Sequence, residues 1–359
     1  MHIPDGYLSP STCAVMYGGT IVAWYGSLKR VKRVLLTRVV PLISVFAAFA
    51  FVVMMFNLPL PGGTTGHALC VTIAAIVLGP AGAVISISLA IALQALLFAD
   101  GGVTTLGANC FNMAVIGSLV AYACYRALAA RAPIDARRRV IAAGIAGYLA
   151  ANASALAAAF ELGIQPMLFH DAAGTPLYAP YPLKIAIPAM MIGHLTFAGI
   201  AEALISAGLV AYLQAADPGL LAATSGLRDT PFSSGVRETA SQRRLWATVA
   251  LLLILTPLGV LATGKAWGEW APSDFLHPAS RAQIAAASQN TPPPAALPTG
   301  MARLTSLWTS PFPAYAPRFV KSRALGYVLS AMFGAGVCLL IALLAQVRSP
   351  LTLVRNKLT

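Results

Sequence analysis

The chain has 359 residues, 58% of them hydrophobic and only 10% charged, with a formal net charge of +13. A soluble domain carries roughly 25% charged residues, so this composition excludes an ordinary solvated surface and points to an all-α polytopic membrane protein. The positive charge then reads as topology rather than nucleic-acid binding, because Lys and Arg fall in short clusters between apolar runs with no binding module beside them.

The opening MHIPDGYLSP has neither a basic stretch nor an apolar run, so it is not read as a signal peptide and Met1 is expected to be retained. Apolar runs follow at 12–28, 39–56, 67–79, 81–98, 106–127, 139–161, 183–213, 245–263 and 325–346. Most approach the roughly 17–25 residues that cross a bilayer core. The run 67–79 is short and ends at Gly79-Pro80, so it is either a crossing or one arm of a re-entrant hairpin.

Charge arbitrates the topology. Lys29, Arg30, Lys32, Arg33 and Arg38 lie between the first two runs and should be cytoplasmic, which places the N-terminus outside. Treating 67–79 and 81–98 as a two-pass unit brings the loop from Arg126 to Arg139, the segment 214–244 and the tail with Arg348, Arg355 and Lys357 to that same side. The expectation is nine spans, N-terminus outside and C-terminus cytoplasmic, with 1–11, 57–66, 99–105 and 162–182 together on the outer face. The chain divides into a seven-span domain over 1–213, a cytoplasmic linker at 214–244 and a two-span module at 245–359. The module's external segment 264–324, containing TPPPAALP, is too polar and proline-broken to pack as helix and is expected to be flexible in part.

Cys13, Cys70, Cys110, Cys124 and Cys338 are odd in number and show no CxxC pairing, which argues against a disulfide framework or zinc ribbon and for buried, inert thiols.

The first two residues offer three nitrogens to one ion: the Met1 α-amine, the His2 amide and the His2 imidazole Nδ1. Amine and amide close a five-membered chelate ring, and amide and Nδ1 a six-membered one. A fourth nitrogen would complete a tetragonal set suited to Ni(II) or Cu(II) and accessible to Co(II). His67, after the glycine-rich NLPLPGGTTG, is the candidate fourth donor, with Gly62, Gly63 and Gly66 allowing a tight loop around the N-terminal strand. The plain alternatives are a disordered terminus for His2 and a helix-end histidine bonded to a carbonyl for His67. Their placement on one expected face favours metal.

Further polar residues lie close to or inside apolar runs. Asn109 and Asn112, in LGANCFNM, share a helical face and either orient a ligand from behind or join helices. Asp5 and Asp100 either draw in cations or fix the N-terminal loop as turn and cap residues. His194 and Glu202, eight apart in GHLTFAGIAEA, form an intramembrane polar pair that either locks helices or relays protons. The stretch from Gly259 to Lys265 mimics a phosphate-binding loop, but Ala266 stands where Ser or Thr is required. No HExxH spacing appears, so an enzyme, and an ATPase in particular, is not expected.

MHIPDGYLSP, NLPLPGGTTGHALC and LGANCFNM resemble the CbiM/NikM family, the S components of energy-coupling-factor transporters for cobalt and nickel. The resemblance covers 1–213. It implies a seven-helix S component in the cell membrane whose transported Ni(II) or Co(II) is held by the Met1 amine, the His2 amide and imidazole, and His67. It also implies partners, a transmembrane T subunit and cytoplasmic ATPases, that supply the energy. TPLGVLATGKAWGEWAPSDF, PFPAYAP and GYVLSA resemble the small two-span NikN/PDGLE-like partner of that family. The PDGLE motif is not present as such, and GEWAPSDF is a degenerate relative of it. The competing function is a proton-coupled secondary metal transporter working through His194 and Glu202.

Overall fold

The structure, a computed structural model, describes residues 1–34, 39–60, 64–129, 131–222, 255–256, 258 and 265–347. It is helical with one two-stranded ribbon. Helices α1 (Pro10–Val34) and α2 (Val39–Met54) are followed by antiparallel strands β1 (Leu58–Leu60) and β2 (Thr64–Gly66), and then by α3 (Val71–Leu93). Next come α4 (Leu106–Asn109), α5 (Gly117–Ala129), α6 (Arg137–Leu168), α7 (Leu183–Gly193) and α8 (Gly199–Ala216). Widened turns at Gln94–Phe98, Cys110–Ile116 and His194–Ala198 extend α3, join α4 to α5 and join α7 to α8. Most of the expected span 245–263 and of the linker 214–244 lies outside the described residues.

Val71–Phe98, Leu106–Ala129, Arg137–Leu168, Leu183–Ala216 and Arg323–Ile341 are long and apolar enough to cross a membrane, and Pro41–Met54 is a shorter apolar helix. Their outward faces carry large apolar side chains such as Leu119, Ile145, Leu204, Phe197, Met332 and Leu340, all exposed. In water such a belt would be an aggregation surface; in lipid it is the solvated one. The chain is a membrane protein.

By length alone Val71–Phe98 counts as one crossing, but it is a hairpin. A straight helix of that length would separate its ends by about 42 Å. Yet His67, just before it, and Asp100, just after it, each come within 3.2 Å of the same nitrogen of His2. The reversal is at Gly79, whose φ of 71° and ψ of 169° interrupt the helix, and the following Pro80 cannot supply the missing N–H. Pro80 and Ala81 line one cavity with Lys29 and Arg30, so the hairpin tip sits at the basic end of the bundle. Its first arm is helical only from Val71 to Leu78, about 12 Å, with non-helical chain before it from His67 to Cys70.

The segment after residue 264 departs from expectation. It contains helices α10 (Pro278–Ala287) and α11 (Thr299–Leu304), following the short α9 (Pro218–Ala222), and leads into α12 (Arg323–Val347). Far from being unpacked, it lies across the end of the bundle opposite the hairpin tip. Met301 N donates to Leu177 O at 3.1 Å, Phe312 N to Leu97 O at 2.9 Å and the Tyr181 hydroxyl to Thr291 O at 3.1 Å. Phe275, Ile284 and Met301 are buried beneath it. Its prolines break helices without preventing docking, because buried aromatic and aliphatic side chains punctuate the polar stretch.

Candidate metal site

Under this cap the chain's first residues are sunk into the bundle. Met1, His2 and Ile3 are 3%, 2% and 0% exposed. The segment is fixed main chain by main chain. Asn109, at the end of α4, accepts Ile3 N on Oδ1 at 2.7 Å and donates from Nδ2 to Ile3 O at 3.0 Å. Ile3 O also accepts from Gly102 N at 2.9 Å and from the Thr105 hydroxyl. The Asp5 carboxylate accepts Val103 N at 3.1 Å and Thr104 N at 2.6 Å. A Cβ at Gly102 would stand 2.3 Å from Asp5 N, so only glycine permits this approach. Further along, Ala179 N donates to Tyr7 O at 3.0 Å and Ser9 N to Gln165 Oε1 at 2.9 Å.

This clamp sets the donors in place. The His67 ring, arriving from β2, stacks on the His2 ring with centroids 4.9 Å apart, and His67 Nε2 faces His2 Nδ1 at 3.2 Å. His67 Nδ1 lies 3.2 Å from Ala68 O; carrying its proton there, the ring leaves Nε2 with a free lone pair. Two nitrogens bound about 2.0–2.1 Å from one ion lie about 2.9 Å apart when cis in a plane and about 3.4 Å apart in a tetrahedron. The observed separation falls between these, so a small shift lets both rings bind one ion.

The Met1 α-ammonium pairs with Glu269 Oε1 at 2.8 Å, and Asp100 Oδ1 lies 3.2 Å from His2 Nδ1. Burial first, and then the adjacent ammonium, bring His2 down from 6.5 to about 4, so its ring is neutral and able to ligate at neutral pH. His2 Nε2 and Gln94 Oε1 are both buried without a well-aligned partner, and Gln94 acts on the His2 ring as a hydrogen-bonding side chain. Ligation through Nδ1 moves the ring proton to Nε2, where Gln94 Oε1 can accept it and satisfy both groups. Gln94 Nε2 meanwhile donates to the Tyr315 hydroxyl at 3.1 Å, and that hydroxyl donates to Asp100 Oδ2 at 2.6 Å.

Among the described residues no three His, Cys, Asp or Glu side chains form a metal-holding group. Four-coordinate binding here therefore needs main-chain nitrogen, which the buried Met1 amine and His2 amide can give.

Not every residue singled out in the sequence reaches this point. Met1, His2, His67, Asn109 and Asp5 converge, whereas Asn112 donates to Glu161 Oε2 at 2.9 Å beside a separate lateral cavity lined by Thr12, Phe111 and Phe160. His194 and Glu202 are both buried but have partners of their own. His194 Nδ1 bonds Met190 O at 2.8 Å, and Glu202 Oε2 accepts Leu69 N at 2.7 Å and Cys70 N at 3.1 Å. The five cysteines are free, four of them buried and Cys124 half-buried. Sequence reasoning missed Glu269, Gln94 and Tyr315. Glu269 and Tyr315 lie too far along the chain for any local pattern to link them to residue 1. Gln94 had one legible signal, a long polar side chain inside an otherwise apolar run.

The chain is similar to known metal transport proteins. A family model for the cobalt uptake substrate-specific transmembrane region matches residues 2–220, and a PDGLE domain model matches 242–348. The fused nickel transport protein NikMN of Rhodobacter capsulatus is 54% identical over 344 residues, 95% of each chain. A probable fused nickel transport protein, LarMN of Lactiplantibacillus plantarum, is 40% identical over 278 residues, 77% of this chain and 79% of its own. Among solved structures, a truncated transition metal transporter superposes with a TM-score of 0.56 at 52% identity, covering 59% of this chain and 98% of its own.

Proposed function

The chain belongs to the cobalt-uptake substrate-specific transmembrane family, with a PDGLE domain fused behind it, and from that premise we propose that it is the substrate-capture subunit of an ATP-driven nickel or cobalt importer. Its place in a nickel and cobalt transport family makes Ni(II) or Co(II) the transported substrate and the chain a transport protein rather than an enzyme. In this reading the ion enters from outside the cell. It is held by the Met1 amine, the His2 amide and Nδ1, and His67 Nε2, and is passed on when the chain couples to a transmembrane T subunit and cytoplasmic ATPases. Lys29 and Arg30 at the hairpin-tip end support a cytoplasmic position for that end and an outer one for the metal site.

The observation that carries the proposal is the buried pairing of His2 Nδ1 with His67 Nε2 at 3.2 Å, next to a buried main-chain amine. A proton-coupled transporter running through His194 and Glu202 is less well supported, because the Glu202 carboxylate is engaged by main-chain N–H groups rather than facing His194.

The test is Ni(II) and Co(II) binding to purified full-length protein whose N-terminus is verified by mass spectrometry, beside a form with two Ala residues added before Met1, which turns the Met1 amine into an amide without placing His2 third in the chain, and beside His67→Ala. Each change removes one of four donors. Both should lower affinity by at least about 100-fold, since losing a ligand costs at least as much as losing a residue that orients one. An extended protein that binds like the native one would remove Met1 from the site and overturn the proposal.

A further inference from the structure

The first arm of α3 begins where a helix should not begin. Val71 packs against Gly117, halfway along the stretch Leu106–Ala129, so the first turn of the arm lies in the interior of the bundle. The leading N–H groups of a helix have no partners within it, and hydrocarbon offers none. Cys70, at the N-cap position, has a φ of 56°, and a left-handed residue in such a turn makes successive N–H groups converge on one point. At that point is Glu202, fully buried, reaching over from the first turn of α8. Its Oε2 accepts Leu69 N at 2.7 Å and Cys70 N at 3.1 Å.

This cap sits two residues from His67. The His67 ring is tied through Nδ1 to Ala68 O, so the orientation of its Nε2 follows the path of the backbone over 68–70, and that path is what Glu202 holds. We propose that Glu202 is a positioning residue for the metal site, capping the interior start of the broken helix and thereby holding His67 Nε2 against His2. The inference rests on the reading of His67 as a ligand. It gives the buried carboxylate a role in metal binding at a distance, with no contact to the ion and no proton relay. An uncompensated carboxylate at this depth would be costly, which is why the two N–H groups and Glu202 are matched to one another.

The test is Ni(II) affinity, with the nickel d–d absorption spectrum, for the full chain and for Glu202→Ala, Glu202→Asp, Glu202→Gln, His67→Ala and the double variant E202A/H67A. Glu202→Ala should weaken binding at least tenfold and shift the spectrum in the direction His67→Ala shifts it. Glu202→Asp, one methylene shorter, should weaken binding as well. Glu202→Gln keeps an oxygen for the two N–H groups and should bind within about threefold of the native protein. A residue acting only through His67 adds nothing once His67 is gone, so the double variant should bind no more weakly than His67→Ala alone. A general structural role predicts additive losses instead, and additivity overturns the proposal. Should Glu202→Ala fail to fold, Glu202→Asp and Glu202→Gln decide the matter: native affinity in Glu202→Asp, or an equal loss in both, overturns it. If Glu202→Ala binds as the native protein does while His67→Ala does not, this inference falls and the ligand set stands. If His67→Ala itself binds normally, the ligand set falls first.

Discussion

Asn109 and Asn112 are three residues apart on one helical face, and the structure separates their roles sharply. Asn109 is fully buried and bridges both polar atoms of Ile3. Replacing it with Ala leaves Ile3 O with Gly102 N and the Thr105 hydroxyl, but removes the acceptor of Ile3 N. An orphaned buried N–H costs about 1–3 kcal/mol. That cost falls on the docked terminus, the state in which the Met1 amine and His2 face His67. Nickel affinity should therefore fall by about 5- to 150-fold in Asn109→Ala. Asn112→Ala disturbs only the bond to Glu161 and should bind within about twofold of the native protein, since that contact belongs to another cavity. The assay is titration of purified full-length protein against a chelator of known nickel affinity. Equal losses in the two variants, or native affinity in Asn109→Ala, would refute the claim that the Ile3 clamp presents the chelate.

Gln94→Leu keeps the side-chain volume but removes the acceptor from His2 Nε2, and should weaken nickel binding by about 10- to 100-fold; calorimetry on the native and variant proteins checks it. Glu269→Gln should weaken binding by about fivefold. A bound amine still has N–H groups to donate, and an acceptor that is 21% exposed contributes about 1 kcal/mol rather than the full charge-assisted value; tighter binding would mean that Glu269 only competes with the ion. In the folded protein His2 is brought down to about 4 by burial, so between pH 5 and 7 its ring takes no proton in competition with metal. Binding then displaces about one proton from the α-ammonium and one from the His2 amide, so log affinity should fall by about 2 per unit drop in pH. A slope near 3 would show that one of the two imidazoles, His2 or His67, titrates in its ordinary range.

The legible part of this protein is whatever one short stretch can encode. MHIPDGYLSP offered three candidate nitrogens from two residues, and the hydropathy runs located α1, α2, α6 and α12 to within a few residues at most ends. Gly79-Pro80 announced a break, and the charge count required the chain to turn back there, as it does. The hairpin's unequal arms were not visible, because residues 67–70 are as apolar as a helix yet are not helical, with Leu69 N and Cys70 N bonded to Glu202. The segment 264–324 was misjudged for a related reason. Its prolines are conspicuous in sequence, whereas Phe275, Ile284 and Met301, which fasten it down, are ordinary residues whose weight depends on what they meet. Glu269 and Tyr315 were out of reach altogether, since contacts spanning more than 200 residues leave no periodicity to read.

A chelate built from a chain terminus poses a problem that side-chain sites avoid. The amine and first amide end a flexible strand, and ordering them costs about 1–2 kcal/mol per residue before any ion arrives. This fold meets most of that cost in advance through Asn109, Asp5, Gln165 and the backbone bond at Tyr7, so the proposed donors are held in place before any ion binds. The last donor, the amine, is held differently: its partner Glu269, the neighbouring Trp270 that accepts the Tyr7 hydroxyl at 2.8 Å, and Tyr315 on Asp100 all come from the segment matched by the second domain. In the proposed site the first domain would supply the nitrogens, and the second closes the space around them through Glu269, Trp270 and Tyr315. Covalent fusion keeps the two at one-to-one ratio and high effective concentration, which is what a site shared between two modules requires.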